Sequence, residues 1–362
     1  MSGKKRILIC GSRLDVRGGI VSVIRNHLTH GGWAPGEVQF IPTHIEAGKP
    51  AQLLFFMAAY ARVLLGALRG QYRVACLHTA ERGSFYRKAI LLRTLRRFGM
   101  RTVLYHHGAE FEAFYAGLPE GRKRFVRRTL EMADLNVVLS RRLTGMITDK
   151  APGARVAVLY NAVETCGGQA YDPAARMILF LGRLGQRKGA YDLLEAIRRI
   201  DGALDAGVRF CLCGDGEAEA VRERAQALGV MHRIAHIGWV DGAQKEQYLR
   251  GAMLHVLPSY NEGLPMSILE TMARGIPSVT TGIASIPEVI EDGVNGVMIE
   301  PGDVDALAQN LLRLAGDEAL RLRMSAAARA TIEERFAIGA HIRRLRELLE
   351  DPDGEKNPEG SE

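Results

Sequence analysis

The stretch of residues 254–282 constrains the fold most, because it combines a strand, a loop, a helix and a second strand in direct succession. Residues 254–257 are apolar and predict a short buried strand, which Pro258 ends because proline cannot donate to a β-ladder. Residues 259–265 are rich in turn-forming side chains and predict a loop. Residues 266–274 then predict a short helix. The stretch is therefore typical of a parallel α/β sheet.

Two carboxylates, Glu262 and Glu270, bracket this loop and the helix after it. A strand–loop–helix unit places such side chains at the sheet edge where α/β proteins bind ligands. Backbone N–H groups at a helix start favour a phosphate, and carboxylates bind sugar hydroxyls through charge-assisted hydrogen bonds. A nucleotide sugar offers both, since its diphosphate joins a sugar to a ribose. The alternative interpretation is that the two glutamates are solvated surface residues.

The rest of the chain repeats the alternation of strands and helices in two halves. A length of 362 residues suits two domains, and no internal repeat is visible. Apolar runs that predict the principal strands lie at residues 7–10, 38–42, 74–78, 101–106, 135–139, 177–181, 208–213 and 236–240. The sequence therefore predicts two Rossmann-type domains that are not copies of each other.

Glycine-rich loops follow the first predicted strand of each half. In the second half Arg183 and Lys188 stand in such a loop, and two cations would suit a departing diphosphate. Arg187 beside them is interpreted as solvated. In the first half Gly18 and Gly19 precede a helix and would let a backbone approach a phosphate or a sugar closely. This pair is not a G-x-G-x-x-G motif, which argues against a dinucleotide-binding dehydrogenase.

Three motifs carry a resemblance to a known family: N-E-G-L-P-x-S-x-L-E at 261–270, G-R-L…K-G at 182–189 and H-G-A-E at 107–110. Together they resemble glycosyltransferase family 4, whose members are retaining enzymes of the GT-B fold. The resemblance covers nearly the whole chain and is strongest over residues 177–301. It implies an α/β, GT-B architecture of two Rossmann-like domains facing a central cleft, with a C-terminal helix crossing back to the N-terminal domain.

The resemblance also implies domain limits. It predicts an N-terminal acceptor domain at residues 1–163 and a nucleotide-sugar domain at residues 164–336. The crossover helix would occupy residues 337–350, and the polar residues 351–362 are predicted to be disordered.

Residue roles follow from the same motifs. The predicted catalytic residues are Glu262, His107, Arg183 and Lys188. The resemblance assigns the donor diphosphate to Arg183 and Lys188, the ribose to Glu270, and the sugar to Glu262 with the backbone of Gly263, Leu264 and Pro265. His107 would reach the donor sugar, and Glu110 takes the acidic position of the motif. His106 is interpreted as structural, and a simple strand cap is the alternative for His107. Gly18 and Gly19 match a glycine-rich turn common in the family.

The activity implied is that of a hexosyltransferase which moves a sugar from a nucleotide sugar to an acceptor hydroxyl with retention of the anomeric configuration. The diphosphate itself would take the acceptor proton, so Glu262 is not assigned as a covalent nucleophile. An epimerase or phosphorylase of the same fold and a catalytically silent binding protein are the alternatives. No cofactor and no metal are expected, since Asp303 and Asp305 begin a predicted helix and capping explains their D-x-D pattern.

Charge and apolar runs suggest where the protein acts. Residues 1–165 hold 26 Lys and Arg against 11 Asp and Glu, whereas the remainder holds 22 against 30. Five cysteines, most of them in apolar runs, indicate buried thiols in a reducing compartment, and no signal peptide is visible. The longest apolar run, residues 53–61, is interpreted as too short to span a bilayer and as a buried or interfacial helix.

The basic residues of the first half form two clusters on predicted helices, residues 85–98 and 122–132, with aromatic side chains among them. Cations with exposed aromatic side chains suit an anionic bilayer. The sequence therefore predicts a cytoplasmic protein at the inner face of a membrane. The loop at residues 79–84 and the helix after it also resemble bacterial polysaccharide-assembly members of family 4, and this resemblance implies a lipid-linked saccharide as the acceptor. RNA binding, a soluble small-molecule acceptor and ordinary solvated helices are the alternatives.

Overall fold

The structure is a computed structural model that describes residues 5–167 and 171–350. It divides into two compact units, and the contacts assign residues 5–161 and 338–350 to the first and residues 162–337 to the second. The tail predicted at residues 351–362 lies outside the described residues, as do residues 168–170 near the start of the predicted nucleotide-sugar domain.

The first unit is built on a six-stranded parallel sheet with strand order β2-β1-β3-β4-β5-β6. Its strands are β1 (Arg6–Ser12), β2 (Val38–His44), β3 (Tyr72–Thr79), β4 (Arg101–His106), β5 (Leu135–Val138) and β6 (Val156–Val158). Its helices before the second unit are α1 (Gly19–His30), α2 (Lys49–Leu68), α3 (Gly83–Arg97), α4 (Phe111–Ala116), α5 (Glu120–Met132) and α6 (Gly145–Thr148). The inner strands β1, β3, β4 and β5 are buried on both faces, which explains why their runs are mainly apolar, whereas the edge strands β2 and β6 are largely half-buried.

The second unit has its own six-stranded parallel sheet, with strand order β12-β11-β10-β7-β8-β9. Its strands are β7 (Met177–Leu181), β8 (Arg209–Cys213), β9 (Ile234–Gly238), β10 (Ala252–Leu257), β11 (Ser278–Thr281) and β12 (Gly296–Ile299). Its helices are α7 (Ala190–Ile200), α8 (Ala218–Ala227), α9 (Gly242–Arg250), α10 (Met266–Met272), α11 (Val304–Gly316) and α12 (Glu318–Arg335). The predicted strand–loop–helix–strand stretch is therefore β10, its loop, α10 and β11.

The last described helix, α13 (Ile338–Glu350), returns to the first unit. It packs against α1 and β3 and buries Leu345, Leu348 and Leu349. His341 on this helix lies 2.8 Å from His27 of α1 between their Nε2 atoms. The predicted crossover of the C-terminal helix is confirmed.

The two basic helices of the first unit, α3 and α5, bury some of the cations and aromatic side chains that the sequence predicted to be on the surface. Lys88 of α3 is buried, and its Nζ donates a hydrogen bond to Thr43 Oγ1 at 2.8 Å. Phe85 is also buried, and Phe125 is half-buried beneath the Arg93 guanidinium, 4.3 Å from its ring centroid. The prediction of exposed aromatic side chains among the cations is therefore wrong for Phe85 and Phe125, because α3 turns its apolar side into the core, whereas Phe98 at the end of α3 is exposed.

The apolar run predicted as too short to cross a membrane belongs to a longer helix, α2. Within residues 5–167 and 171–350, α2 is the one helix long and apolar enough to span a bilayer by length and composition. Arg62 interrupts the apolar run, but the helix continues through it to Leu68, and its apolar residues on both sides of Arg62 together give the length. Of the two predicted alternatives, a buried or an interfacial helix, the structure excludes a fully buried helix, since most residues of α2 are partly or fully exposed.

Replacing Lys88 with Met should change the pH dependence of stability. Burial lowers the pKa of Lys88 to about 7, so above pH 7 the unfolded chain binds a proton that the folded chain has lost. The free energy of unfolding of the parent should therefore rise by about 1.5 kcal/mol relative to Lys88→Met between pH 7 and 8.5. Urea denaturation at both pH values measures this. Arg97→Met, at an exposed position of the same helix, should follow the parent, and equal pH dependence of Lys88→Met and the parent would contradict the assignment.

Candidate active site

The candidate site of the second unit lies where its strand order reverses. The chain runs from β7 through β8 to β9 in one direction and then returns to β10 on the other side of β7. Loops at the carboxyl ends of β7 and β10 therefore leave in opposite directions and open a crevice between them. The first loop contains Arg183 and Lys188, and the second contains Glu262. The topology thus gathers three predicted site residues at the position where open α/β sheets bind ligands.

Glycines allow these loops to pack closely. Gly189 has a φ of 73°, and a Cβ there would lie 2.1 Å from the Pro258 carbonyl oxygen at the end of β10. A Cβ at Gly214, after β8, would lie 1.8 Å from the carbonyl oxygen of Gly182. Any larger side chain at either position would force the loops apart. The lack of a side chain at these two glycines therefore allows the loop after β7 to pack closely against the end of β10 and against the residues after β8.

A buried ion pair joins the two loops at the centre of this site. Lys188 Nζ contacts Glu262 Oε1, and the Glu262 side chain is only 5% exposed. Ser259 Oγ donates a second hydrogen bond to Glu262 Oε1 at 2.7 Å. Burial lowers the pKa of Lys188, while the Glu262 carboxylate acts in the opposite direction. The pair fixes the position of both side chains.

Arg183 presents an exposed guanidinium at the same edge. Its Nη1 lies 3.4 Å from Asp215 Oδ2, and its side chain is 64% exposed. The backbone next to Arg183 is fixed by a hydrogen bond of 2.6 Å that Leu184 N–H donates to the Asp215 carbonyl oxygen. An exposed cation on a fixed loop is available to an anionic ligand.

Glu270 lies on α10, one element beyond the loop. Its Oε2 is 2.5 Å from Lys245 Nζ of α9, and its side chain is 19% exposed. Between the two glutamates Gly263, Leu264 and Pro265 form the turn into α10, and Leu264 is buried. The structure therefore brings the glutamates and the turn residues to one edge of the sheet, each glutamate with its own lysine.

The D-x-D pattern begins α11, as the sequence predicts. Asp303 Oδ1 accepts a hydrogen bond from the Ala306 backbone N–H at 2.8 Å, which is an N-cap. Asp305 pairs with Arg199 Nη1 at 2.6 Å. Across the described residues, 5–167 and 171–350, no group of three or more His, Cys, Asp or Glu is arranged to hold a metal ion.

In the first unit His107 follows β4 directly and stacks on two aromatic side chains. Its Nε2 lies 2.8 Å from His78 Nδ1, and its ring stacks on Tyr105 with a centroid distance of 4.7 Å. Burial lowers the pKa of His107 to about 3, and its histidine and lysine neighbours add to this effect. His107 is therefore a neutral imidazole near pH 7, suited to hydrogen bonding and not to supplying a positive charge.

The other predicted residues of the first unit have different surroundings. His106 is buried and its Nε2 lies 3.0 Å from Asn136 Oδ1, which fits the predicted structural role. Glu110 pairs with Arg82 at 3.1 Å. Gly18 has a φ of 132° and precedes α1, which begins at Gly19, and a Cβ at Gly18 would meet no atom within 4 Å. Gly18 therefore leaves open space before the helix.

Sequence reasoning missed three residues that contact predicted site residues: Ser259 and Lys245 in the second unit and His78 in the first. Ser259 stands in the predicted loop, but nothing in the motif marks it as a partner of Glu262. Lys245 is 25 residues before Glu270 and meets it only through the fold. His78 carried a usable signal, since it stands near the carboxyl end of a predicted strand as His106 does.

The second unit is also similar in sequence to known proteins. Residues 175–317 match the family described as Glycosyl transferases group 1. The lipopolysaccharide core biosynthesis glycosyltransferase LpsE of Rhizobium meliloti is 32% identical over 164 residues, which are 45% of this chain and 46% of LpsE. The chain thus spans about half the length of that relative. A phosphatidyl-myo-inositol mannosyltransferase of Mycobacterium leprae is 28% identical over 287 residues. This match covers 77% of this chain and 74% of the mannosyltransferase.

Among solved structures, Anabaena Alr3699/HepE in complex with UDP is similar with a TM-score of 0.77. The identity is 16%, and the match covers 95% of this chain and 99% of the other. The fold is GT-B. The predicted fold class, with two Rossmann-like sheets and a returning C-terminal helix, is confirmed.

Removing the lysine of the buried pair should cost stability that a second substitution restores. Lys188→Met leaves the Glu262 carboxylate buried without its cation and should lower the free energy of unfolding by about 3 kcal/mol. Adding Glu262→Gln should recover most of this loss, because no unpaired charge then remains. Urea denaturation at pH 7 measures both variants. Arg187→Met, at the exposed neighbouring position, should stay within about 0.5 kcal/mol of the parent. Strictly additive losses in the double variant would contradict a coupled pair.

Proposed function

We propose that this protein is a retaining glycosyltransferase which moves a sugar from a nucleotide-diphosphate sugar to an acceptor hydroxyl. The observation that carries the proposal is the arrangement of Arg183, Lys188 and Glu262 on two loops at the strand-order reversal of the second unit. Cations and a carboxylate at one crevice match a ligand that combines phosphates with hydroxyls. The match of this unit to the Glycosyl transferases group 1 family supports the same activity.

In the proposed complex the cations bind the diphosphate. Lys188 has three N–H donors and uses one on Glu262, so two remain for phosphate oxygens. Arg183 offers a planar guanidinium from an exposed position. Negative charge grows on the diphosphate as the bond to the sugar breaks, and positive charges fixed beforehand stabilise that state.

The carboxylates would bind the hydroxyl-rich ends of the donor. Glu262 would accept hydrogen bonds from the sugar, with the backbone of Gly263, Leu264 and Pro265 beside it, and Glu270 would bind the ribose. Each carboxylate oxygen has more than one lone pair, so a hydroxyl can be added without breaking the bonds to Lys188 or Lys245. His107, held by His78, would donate or accept one hydrogen bond at the sugar.

In the transfer step a bond forms between the acceptor oxygen and the anomeric carbon while the bond from that carbon to the diphosphate breaks. The acceptor proton moves to the departing phosphate oxygen on the same face of the sugar, so the anomeric configuration is retained. Glu262 forms no covalent bond in this scheme, although paired carboxylates do so in retaining glycosidases. No metal is required, because Arg183 and Lys188 supply the positive charge.

The acceptor is proposed to be a lipid-linked saccharide at the cytoplasmic face of a bacterial membrane. The two relatives described above are named for lipopolysaccharide core synthesis and for phosphatidyl-myo-inositol mannosylation. The excess of positive charge in residues 1–165 supports attraction to an anionic surface. In this proposal the protein is peripheral, and the first unit provides the acceptor side.

A panel of nucleotide sugars tests the activity. One donor should release its nucleoside diphosphate in the presence of acceptor, and NMR of the product should show the anomeric configuration of the donor. Arg183→Ala should lower turnover by about 10²-fold, whereas Arg187→Ala should leave it near the parent value.

Chelation is the control for the metal-free scheme. Transfer should survive EDTA, since Asp303 is used as a helix cap and Asp305 is paired with Arg199. Loss of transfer with EDTA and recovery with manganese or magnesium would contradict that part of the proposal.

Substitutions of the two glutamates should affect nucleotide binding differently. Glu270→Gln should weaken binding of the free nucleoside diphosphate by roughly tenfold, because the ribose loses a charge-assisted hydrogen bond. Glu262→Gln should bind the free nucleotide nearly as the parent does and lose transfer, because its proposed partner is the sugar. Isothermal titration calorimetry with the free nucleotide measures both, and equal losses in the two variants would refute these roles.

A further inference from the structure

Helix α2 exposes an unusual number of large apolar side chains. Among the residues that the structure describes, eleven large hydrophobic side chains are exposed, and five of them lie on α2. They are Leu53, Leu54, Met57, Leu65 and Leu68, with exposures from 49% to 68%. Scattered exposed apolar residues are ordinary, but a concentration on one helix marks an interaction surface.

The exposed residues form a continuous stripe. Leu54, Met57, Ala61, Leu65 and Leu68 follow one another at intervals of three or four residues, which places them on one face of the helix. At 1.5 Å per residue the stripe is about 21 Å long. This length is ample for a helix that lies along a surface.

The opposite face of α2 is anchored in the protein. Phe56, Ala59, Val63 and Ala67 are buried there and belong to the core of the first unit. A helix that crossed a bilayer would have to withdraw these side chains from the core. The helix is therefore placed to lie on a bilayer and not to span it, with one apolar face for the protein and one for its surroundings.

Charges around α2 favour one kind of partner. Residues 47–80 contain no Asp or Glu, and they contain four cations, Lys49, Arg62, Arg69 and Arg73. Arg62 and Arg69 are exposed, and helical geometry sets both on the same flank of the stripe. Arg73 is paired with Glu37 and Glu350, so it adds no free charge. Helix α3, which packs against α2, adds exposed Arg97 near its end, where Arg96 is paired with Asp134. An apolar stripe beside cations is complementary to acyl chains below a layer of anionic headgroups.

We propose that the exposed stripe of α2, residues 54–68, inserts into the headgroup region of an anionic bilayer and seats the first unit on the membrane. Arg62 and Arg69 contact lipid phosphates while their aliphatic stems lie along the apolar region. This inference deepens the proposed membrane association and rests on it. In this inference the apolar contact with the bilayer is made by α2, whereas the sequence predicted that aromatic side chains of the two basic helices make it.

Vesicle flotation of the full chain tests the inference. The parent should bind vesicles that contain phosphatidylglycerol and should bind vesicles of phosphatidylcholine alone much more weakly. Leu54→Gln with Leu65→Gln should reduce binding by roughly tenfold or more, since buried apolar area sets the strength of interfacial binding. The control is Val294→Gln with Leu322→Gln, which removes two exposed apolar side chains from the second unit and should bind as the parent does.

Depth-dependent quenching distinguishes insertion from simple charge attraction. Brominated lipids should quench the tryptophan fluorescence of the Met57→Trp variant more than that of the parent, which contains only Trp33 and Trp239. The Leu322→Trp variant should show no such additional quenching. Arg62→Gln with Arg69→Gln should weaken binding to anionic vesicles and make the remaining binding less sensitive to salt.

Three outcomes would overturn the inference: no binding to anionic vesicles, binding that the α2 variants leave unchanged, or a stripe variant that dissociates an oligomer without changing flotation. The last would identify the stripe as a contact between copies of the chain. Nucleotide binding measured on the same samples separates the two proposals. Normal nucleotide binding without flotation would remove the membrane contact alone, and flotation without nucleotide binding would remove the proposed transfer.

Discussion

The buried ion pair between Lys188 and Glu262 is the interaction on which the candidate site depends. It connects the loop after β7 to the loop after β10, and so it fixes the two walls of the crevice relative to each other. Such a pair adds little net stability, because both charges lose their water, but breaking it leaves one buried charge uncompensated. In the proposed function this pair also binds the donor: the cation offers its remaining N–H donors to a phosphate, and the carboxylate offers its remaining lone pairs to a sugar. The donor would then complete an existing network, with little reorganisation at the moment of reaction.

The sheet topology explains why these residues meet. Arg183 and Glu262 are 79 residues apart in the sequence, yet β7 and β10 are neighbours and their carboxyl ends meet at the same edge. Glycine at 189 and at 214 then allows the loops to approach within contact of each other's backbone. The first unit repeats the same architecture, with its strand order reversing between β1 and β3, and places Gly18 and His78 at the carboxyl ends of these strands.

The sequence predicted the second unit well because its motifs are local. Strand, loop and helix follow within 254–282, and Glu262 and Glu270 are carried by that single segment. It failed where a feature depends on packing. The basic pattern of α3 cannot distinguish Lys88, which is buried against Thr43, from the exposed Arg96 and Arg97. Likewise, a helix that is apolar on every side does not reveal which face of α2 enters the core. The lysine partners of the glutamates also follow only from the fold, since Lys245 comes from another helix.

Hydrogen exchange measured by mass spectrometry tests the central claim most directly, namely that the loops at the carboxyl edge of the second sheet bind the nucleotide of the donor. A saturating nucleoside diphosphate that the protein binds should slow exchange in peptides covering residues 182–189 and 259–270. Lys188→Met should lose the protection of both segments together, because the ion pair couples them. Protection confined to other parts of the chain, or protection of one segment that persists unchanged in Lys188→Met, would contradict the account.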